Sequence, residues 1–260
     1  MKPRVLLLRA AGVNCDRELA YAFERAGATV EQRHIRELAA RPAAVAECDL
    51  FAIPGGFTYG DDLGAGRILA VEVERFLGEV LAEHHARGGS VFGVCNGFQT
   101  LVKARLLPDL ADVRATLTWN ASGRFECRWT RLRVEGGLAR LLPEGFVLPA
   151  PVAHAEGRLV LADAARDLQR LEAGKRIALR YVDARGRPTT DYPDCPSGSS
   201  GGIAGLVSAS GRILGLMPHP ERNLSAAHTP DGGAGAWGRG GEGITFYRAL
   251  LSPYRSGAVV

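Results

Sequence analysis

The sequence of 260 residues contains no G-x-x-x-x-G-K-[ST] segment, no C-x-x-C pair and no apolar run of membrane-spanning length. These absences argue against a P-loop for ATP, a structural zinc site and a membrane span. Charge of one sign is also scarce, because 32 Lys and Arg against 28 Asp and Glu leave a net charge of +4. Since the basic residues are scattered along the chain, no nucleic-acid partner is expected. Five widely spaced cysteines and no secretory leader predict a cytoplasmic protein with reduced thiols and no bound metal.

Short apolar runs alternate with amphipathic stretches in the first hundred residues. Residues 5–8, 50–53 and 90–94 are typical of buried strands, and residues 16–26 and 68–81 have the apolar spacing of helices. This alternation predicts an α/β fold with a mostly parallel central sheet and helices on both faces.

The character of the chain changes after about residue 106. Residues 117–134 are β-rich, which predicts antiparallel strands added to the sheet. Residues 230–243 contain seven glycines and are predicted to form a mobile loop. Because neither a repeat nor a linker divides the sequence, we expect residues 1–260 to form a single domain.

A cysteine lies at the sharpest predicted turn, in Gly93-Val94-Cys95-Asn96-Gly97. The G-x-C-x-G pattern between a strand and a helix is the thiol form of the nucleophile elbow, in which glycines avoid a clash at a strained corner. The following helix N-terminus favours a thiolate, and the backbone N–H of Asn96 becomes an oxyanion donor. The alternative is a buried cysteine between packing glycines. The order strand, elbow, helix favours the nucleophile.

A thiol nucleophile needs a base, and His219 is the best candidate among the six histidines. The prolines on either side of His219 are expected to exclude helix and to hold it in extended chain, in which residues i and i+2 point the same way. Glu221 is then beside the imidazole and can orient it, as the acid of a catalytic triad does. A turn histidine with a solvated glutamate is an equally good interpretation of this segment alone. Together with the elbow, it predicts the triad Cys95, His219 and Glu221.

Two glycines, Gly55 and Gly56, follow the second predicted strand. We expect them to lie at the same carboxyl edge of the sheet as Cys95, where α/β folds place their sites. Their backbone can supply a second oxyanion donor, although an ordinary strand-end turn explains this segment equally well.

Three motifs resemble the class I, triad-type glutamine amidotransferases. They are G-V-C-N-G-F-Q at 93–99, P-G-G-F-T-Y-G-D at 54–61 and P-H-P-E-R at 218–222. Within that family, further segments are similar to those of the glutaminase subunits of phosphoribosylformylglycinamidine synthase: N-C-D-R-E at 14–18, R-F-E-C-R-W at 124–129 and H-A-E-G-R at 154–158. The resemblance covers residues 4 to about 250 and implies a flavodoxin-like fold.

The resemblance also implies an activity and partners. Cys95 would attack the side-chain amide of glutamine, form a γ-glutamyl thioester and release ammonia, with His219 as acid and base. Gln99, Gly55 and Gly56 would hold the glutamine and its oxyanion. The ammonia would pass to a large synthetase subunit, aided by a small third subunit, which converts formylglycinamide ribonucleotide to its amidine in purine biosynthesis. ATP and Mg are expected on that synthetase, and no cofactor is expected in this chain.

One loop departs from the family pattern. Where an Asn-Pro-Asn-Gly-Ser-like sequence is usual, this chain has Cys195 and Ser197 in place of the two asparagines. Contacts that the family assigns to this loop therefore stay open.

Two other functions are compatible with such a site. A stand-alone thiol hydrolase of the same fold would act on γ-glutamyl substrates without a partner, but the subunit-like segments argue against it. A non-enzymatic glutamine-binding adaptor would retain the pocket and lose a member of the triad, whereas here all three residues are present.

Overall fold

The structure is a computed structural model that describes residues 1–255. The central strands are buried along their whole length, as expected for a sheet that is covered on both faces. The strands are β1 (Arg4–Arg9), β2 (Thr29–His34), β3 (Leu50–Ile53), β4 (Ser90–Val94), β5 (Ala115–Thr118), β6 (Glu126–Val134), β7 (Val147–His154), β8 (Arg158–Leu161), β9 (Ile177–Val182), β10 (Ile203–Val207) and β11 (Ile213–Leu216). The helices are α1 (Asp16–Arg25), α2 (Ile35–Ala40), α3 (Arg67–Ala86), α4 (Asn96–Lys103), α5 (Ala164–Ala173) and α6 (Glu242–Leu251).

The two predicted helices of the first hundred residues are present, and each buries an apolar stripe. In α1 the buried residues Leu19, Ala22 and Phe23 recur at spacings of three and four along the chain. In α3 every fourth residue from Leu69 to Leu81 is buried, and the helix ends shortly before the glycine pair at 88–89, which is expected to break it. No helix within residues 1–255 is both long enough and apolar enough to cross a membrane.

The main sheet has the strand order β2-β1-β3-β4-β11-β10-β9-β6-β7. The strands from β2 to β11 in this order are parallel neighbours, and those from β10 to β7 are joined in antiparallel fashion. A separate antiparallel pair consists of β5 and β8. The predicted fold class, including the added antiparallel strands, is confirmed. The two halves of the sequence share one sheet, although the extent of the domain stays a prediction.

The strand β2 was not predicted from the sequence. It lies at the edge of the sheet, and most of its side chains are exposed. An edge strand with polar side chains lacks the apolar run or the alternation by which strands are recognised.

The glycine-rich segment 230–243 contains hydrogen-bonded turns. The Asp231 carboxylate accepts hydrogen bonds from the backbone N–H groups of Gly233, Ala236 and Trp237. The Trp237 ring lies 3.9 Å from the Arg131 guanidinium of β6. These contacts attach the segment to the sheet; its predicted mobility stays a prediction.

The topology brings the three sequence motifs to one edge. Strand β4 lies between β3 and β11, so the segments that follow these three strands are neighbours at their carboxyl ends. Open α/β sheets place their ligands at this edge.

Candidate active site

Cys95 occupies the strained corner that its sequence predicts. Its backbone has φ 53° and ψ −108°, an unfavourable conformation for a residue with a side chain. The corner requires glycine on both sides: a Cβ atom on Gly97 would lie 2.0 Å from the Ile53 carbonyl oxygen, and one on Gly93 would lie 2.7 Å from the backbone of Gly97. The helix α4 begins at Asn96, so the thiol lies at a helix N-terminus. Both features of a nucleophile elbow are therefore present.

His219 and Glu221 form a buried pair. His219 Nδ1 lies 2.6 Å from Glu221 Oε1, and the second carboxylate oxygen accepts a 2.9 Å hydrogen bond from the Tyr247 hydroxyl. Burial opposes the charged imidazole, but the Glu221 carboxylate and the Cys95 sulfur outweigh burial and raise the pKa of His219 above its usual value. Burial also opposes the charged carboxylate, yet His219 lowers the pKa of Glu221 below its usual range. Each group therefore stabilises the charged form of the other.

The backbone that brings this pair together differs from the prediction. The prolines were expected to hold residues 218–221 extended, but residues Pro220–Arg222 form a turn of 3-10 helix. The extended-chain argument was wrong in its geometry, because Pro220 at the first helical position is compatible with a helical turn as well. Glu221 nevertheless lies beside the imidazole.

Gly55 lies where three side chains meet. A Cβ atom at this position would be 3.0 Å from His219 Cε1 and 3.3 Å from both Cys95 Cβ and Cys15 Sγ. His219 Nε2 is buried, and it has no hydrogen-bond partner within residues 1–255. Catalytic hydrogen bonds are often long before substrate binds. The structure thus brings the predicted nucleophile and base together beside Gly55, with the orienting acid bonded to the other nitrogen of the imidazole.

The turn at Gly55 and Gly56 is fixed by the segment that follows β1. The Gly55 carbonyl accepts a hydrogen bond from the Cys15 N–H, and Gly56 forms an antiparallel bridge with Val13. Gly56 has φ +145°, a backbone conformation that favours glycine. Because the carbonyl of Gly55 is directed toward Cys15, the N–H of Gly56 across the same planar peptide points to the opposite side. This arrangement is compatible with an oxyanion donor at Gly56.

The side chains of Asn96 and Gln99 are held by hydrogen bonds next to Cys95. Asn96 Oδ1 accepts a 2.6 Å hydrogen bond from Thr58, and Asn96 Nδ2 donates to Asp61 and to Gln99 Oε1. Gln99 Nε2 donates to the Glu156 carbonyl at 2.7 Å. The Asn96 side chain is thus engaged within the protein, which leaves its backbone N–H in the first turn of α4 as the group that can face an oxyanion.

A cavity of about 230 Å³ opens beside Cys95. Its lining includes Gly56, Cys95 and Gln99, which were predicted site residues, together with Asp61, Trp119, His154 and Glu156, which were not. Burial, outweighing the Gly66 N–H and the Asn96 amide, raises the pKa of Asp61. Asp61 lies in the motif 54–61, and His154 and Glu156 lie in the motif 154–158, which resemble those of the family. Trp119 lies outside these motifs. The place of all four residues in the cavity follows from tertiary packing and not from local spacing.

Cys15, Glu18 and His219 are the side chains of residues 1–255 that could together hold a metal ion, since their ligand atoms lie within 4.8 Å of one another. Arg222 is already present among them: its Nη2 donates to Glu18 Oε1 at 2.7 Å and lies 3.4 Å from Cys15 Sγ. Burial, followed by the Glu18 charge, raises the pKa of the Cys15 thiol and so keeps it in the protonated form that binds metals weakly. That this chain binds no metal ion stays a prediction.

The unusual loop residues Cys195 and Ser197 are buried. Ser197 Oγ lies 2.9 Å from Ser199 Oγ, and the Ser197 carbonyl accepts a hydrogen bond from the Ala121 N–H. The loop therefore packs against the segment that contributes Trp119 to the cavity wall.

Comparison with known proteins identifies the family of the chain. The model of the CobB/CobQ-like glutamine amidotransferase domain family matches residues 2–251. A phosphoribosylformylglycinamidine synthase subunit PurQ from Dehalococcoides mccartyi is 44% identical over 249 residues, covering 95% of each chain. The corresponding PurQ subunit of Methanococcus maripaludis strain S2 is 36% identical over 234 residues, covering 88% of this chain and 85% of that protein.

The chain belongs to the PurQ family of glutamine amidotransferases.

Solved structures show the same fold. The structure of PurLQS from Thermotoga maritima contains a chain with a TM-score of 0.72 and 28% identity, and the match covers 98% of this chain and 100% of that one. A putative GMP synthase component from Thermoplasma acidophilum has a TM-score of 0.57 at 11% identity, with 97% of this chain and 94% of that one covered, which supports the fold alone. The family and the fold that the motifs predicted are therefore confirmed.

Proposed function

We propose that this chain is the glutaminase subunit of a phosphoribosylformylglycinamidine synthase. It hydrolyses glutamine to glutamate and ammonia and supplies the ammonia to a synthetase that converts formylglycinamide ribonucleotide to formylglycinamidine ribonucleotide in purine biosynthesis. The observation that carries the proposal is the buried Cys95, His219 and Glu221 arrangement beside a cavity, in a chain 44% identical to a PurQ subunit.

The reaction begins with attack of the Cys95 sulfur on the amide carbon of the glutamine side chain. The negative charge on the carbonyl oxygen is stabilised by backbone N–H groups, for which Gly56 and Asn96 are the candidates. His219 Nε2 donates its proton to the amide nitrogen, the C–N bond breaks, and ammonia leaves behind a γ-glutamyl thioester. His219 then accepts a proton from water as the water attacks the thioester, and glutamate is released.

Glu221 maintains this cycle without gaining or losing a proton. Its oxygen, 2.6 Å from His219 Nδ1, fixes the tautomer that presents Nε2 to the sulfur and stabilises the imidazolium. The cavity is suited to the remainder of the amino acid: the carboxylates of Asp61 and Glu156 line it and can attract the α-ammonium group of glutamine.

The partners proposed are a large synthetase subunit and a small third subunit. The names of the relatives support this, since each is called a subunit of a synthase and the structural relative comes from PurLQS. From the likeness to these subunits we place ATP and Mg on the synthetase, and the absence of a P-loop sequence from this chain is compatible with that placement. Five free thiols support a reducing compartment, for which we propose the cytoplasm.

Reconstitution tests the proposal. The purified chain is mixed with the synthetase and the small subunit, and amidine formation is measured with ATP, Mg and either glutamine or ammonium chloride. Activity with glutamine that depends on this chain is the expected result. A complex that is active with ammonium chloride and inactive with glutamine would contradict the proposal. Rapid hydrolysis of γ-glutamyl peptides by the isolated chain would instead support the stand-alone thiol hydrolase.

A further inference from the structure

The turn that carries His219 and Glu221 is anchored by the residue that follows them, Arg222. The backbone N–H of Arg222 donates to the His219 carbonyl at 3.1 Å, so the guanidinium and the imidazole extend from one closed turn of backbone. Nε and Nη2 of Arg222 both donate to Glu18 Oε1, at 3.0 Å and 2.7 Å. The mechanism above gives this ion pair no role.

Glu18 lies in the first turn of α1, and the start of this helix is bonded to the turn formed by Gly55 and Gly56. Cys15, the residue before the helix, donates its N–H to the Gly55 carbonyl at 3.3 Å. The Cys15 carbonyl accepts a hydrogen bond from the Leu19 N–H at 3.1 Å, so the same residue closes the first turn of the helix. A displacement of the carboxylate of Glu18 is therefore restricted by the backbone that also holds the oxyanion turn.

The ion pair is close to the reacting groups. A carboxylate oxygen of Glu18, the sulfur of Cys15 and a ring nitrogen of His219 lie within 4.8 Å of one another. Arg222 Nη2 lies 3.4 Å from Cys15 Sγ. A Cβ atom on Gly55 would lie 3.3 Å from that sulfur and 3.0 Å from His219 Cε1. The start of α1, the oxyanion turn and the turn that carries the base thus meet at one place.

The pair contributes more to geometry than to folding. The side chains of Arg222 and Glu18 are 32% and 36% exposed. Ion pairs that are this accessible to water contribute little to the free energy of unfolding. Two N–H groups of a planar guanidinium that share one oxygen nevertheless restrict both the distance and the direction of the contact. Loss of the pair should therefore change the placement of the turn more than the stability of the protein.

We propose that Glu18 and Arg222 are positioning residues, whose ion pair fixes the turn that carries His219 relative to the oxyanion turn at Gly55 and Gly56. The inference rests on the proposed function. His219 must give its proton to the amide nitrogen while backbone N–H groups hold the carbonyl oxygen of the same substrate. A displacement of one turn from the other slows this step, and it leaves the cavity that holds the remainder of glutamine intact.

Removal of either side chain tests the proposal in the reconstituted synthase. Glu18→Ala and Arg222→Ala should each lower kcat with glutamine about tenfold and leave KM within about twofold. Activity with ammonium chloride should be unchanged. The matched control is Arg9→Ala, because Arg9 Nε forms a 3.0 Å ion pair with Asp16 in the same first turn of α1. Since neither member of that pair belongs to the turn with the base, the control should retain its kcat.

The double variant Glu18→Ala with Arg222→Ala shows whether the two side chains act as one unit. Each single change already removes the whole contact, so the double variant should also lose about tenfold. Losses that multiply to about a hundredfold would overturn the proposal. A raised KM with unchanged kcat, an equal loss in Arg9→Ala, or a loss with ammonium chloride as well would also overturn it.

A measurement on the isolated chain requires neither partner nor turnover. The rate at which iodoacetamide alkylates Cys95 at pH 7 reports how well His219 stabilises the thiolate. Glu18→Ala should slow this rate about tenfold, whereas partial unfolding would make it faster. Mass spectrometry of peptides distinguishes Cys95 from the other four thiols. A rate that is unchanged or faster would overturn the proposal, and a wild-type complex inactive with glutamine would contradict the proposed function instead.

Discussion

The Tyr247 hydroxyl donates a 2.9 Å hydrogen bond to Glu221 Oε2, the carboxylate oxygen that does not face His219. Tyr247 lies in α6, and its ring packs edge-on against Phe23 and Phe92 in the core. The last helix of the described chain thus fixes the orientation of the triad acid. The two carboxylate oxygens are each bonded, so the carboxylate cannot rotate without losing a hydrogen bond.

Replacement of Tyr247 by Phe should lower kcat with glutamine about tenfold, because one hydrogen bond that orients Glu221 is lost. The aromatic contacts are retained, so the protein should stay folded. Glu221→Gln should be far more damaging, by a factor of about 10³ to 10⁴, since it removes the charge that stabilises the imidazolium. Steady-state kinetics of the two variants provide the comparison. Equal losses in both would show that the tyrosine does more than orient the carboxylate.

Cys95→Ala should separate the two nitrogen sources. The small side chain fits the elbow, so the variant complex should lose activity with glutamine and retain activity with ammonium chloride. Free ammonia is the nucleophile, and the rate with ammonium should therefore rise with pH. The assay is amidine formation in the reconstituted synthase. A complex inactive with both sources would mean that the thiol also supports the synthetase structurally, and persistence of glutamine use would place the nucleophile elsewhere.

Two glycine-to-alanine changes test the elbow geometry. In Gly97→Ala the new methyl group would lie 2.0 Å from the Ile53 carbonyl oxygen, so β3 and α4 must separate. We expect a loss of about 1–3 kcal/mol in the free energy of unfolding and little glutaminase activity. Gly78→Ala is the matched control in α3, where a Cβ atom meets nothing within 4 Å. It should raise stability by about 0.5–1 kcal/mol. Urea unfolding measures both changes, and a neutral Gly97→Ala would contradict the packing described for Cys95.

The pKa of His154 predicts a dependence of stability on pH. Its pKa is lowered from 6.5 to about 3 by burial and by His219, so between these values the unfolded chain binds a proton that the folded chain does not. The contribution of the neutral His154 to the free energy of unfolding is complete above pH 6.5 and is lost as the pH falls toward 3. At pH 5 the loss is about 2 kcal/mol, from about 1.36 kcal/mol per pH unit.

The test compares urea unfolding at pH 7 and pH 5. The difference between the two pH values should be smaller by about 2 kcal/mol in His154→Asn than in wild-type protein. The same change at the exposed His228 should leave the difference as it is in the wild type. An unaltered difference in His154→Asn would mean that this histidine is protonated in the folded protein.

The parts of the site that could be predicted are those encoded by neighbouring residues. The elbow at Cys95 is visible because each of its two glycines lies two residues from the cysteine, and Glu221 is found from its spacing to His219, although the contact that requires glycine at 97, with the Ile53 carbonyl, is not local. Strand β2 escaped prediction because the edge of the sheet does not bury its side chains. A feature is predictable where neighbouring residues in the sequence encode it, and it is missed where its environment is set by distant parts of the fold.

The remaining site residues depend on contacts that no local pattern encodes. Tyr247 is one of two buried aromatic residues on α6 until the fold places it against Glu221. His154 has the sequence signature of a strand end, and only the hydrogen bond to Asn120 reveals its protonated nitrogen. The 3-10 turn at Pro220–Arg222 was missed because proline is compatible with both extended chain and a first helical turn.

The hydrogen bond between Tyr247 and Glu221 also sets the point during synthesis at which the enzyme becomes fully active. The ribosome releases Cys95 early, Glu221 much later, and the tyrosine that orients this carboxylate later still. A nascent chain that has folded its first four strands therefore contains the thiol without its base. Such an incomplete chain lacks the base and cannot consume glutamine, and ammonia release reaches its full rate only when α6 has been made and has docked.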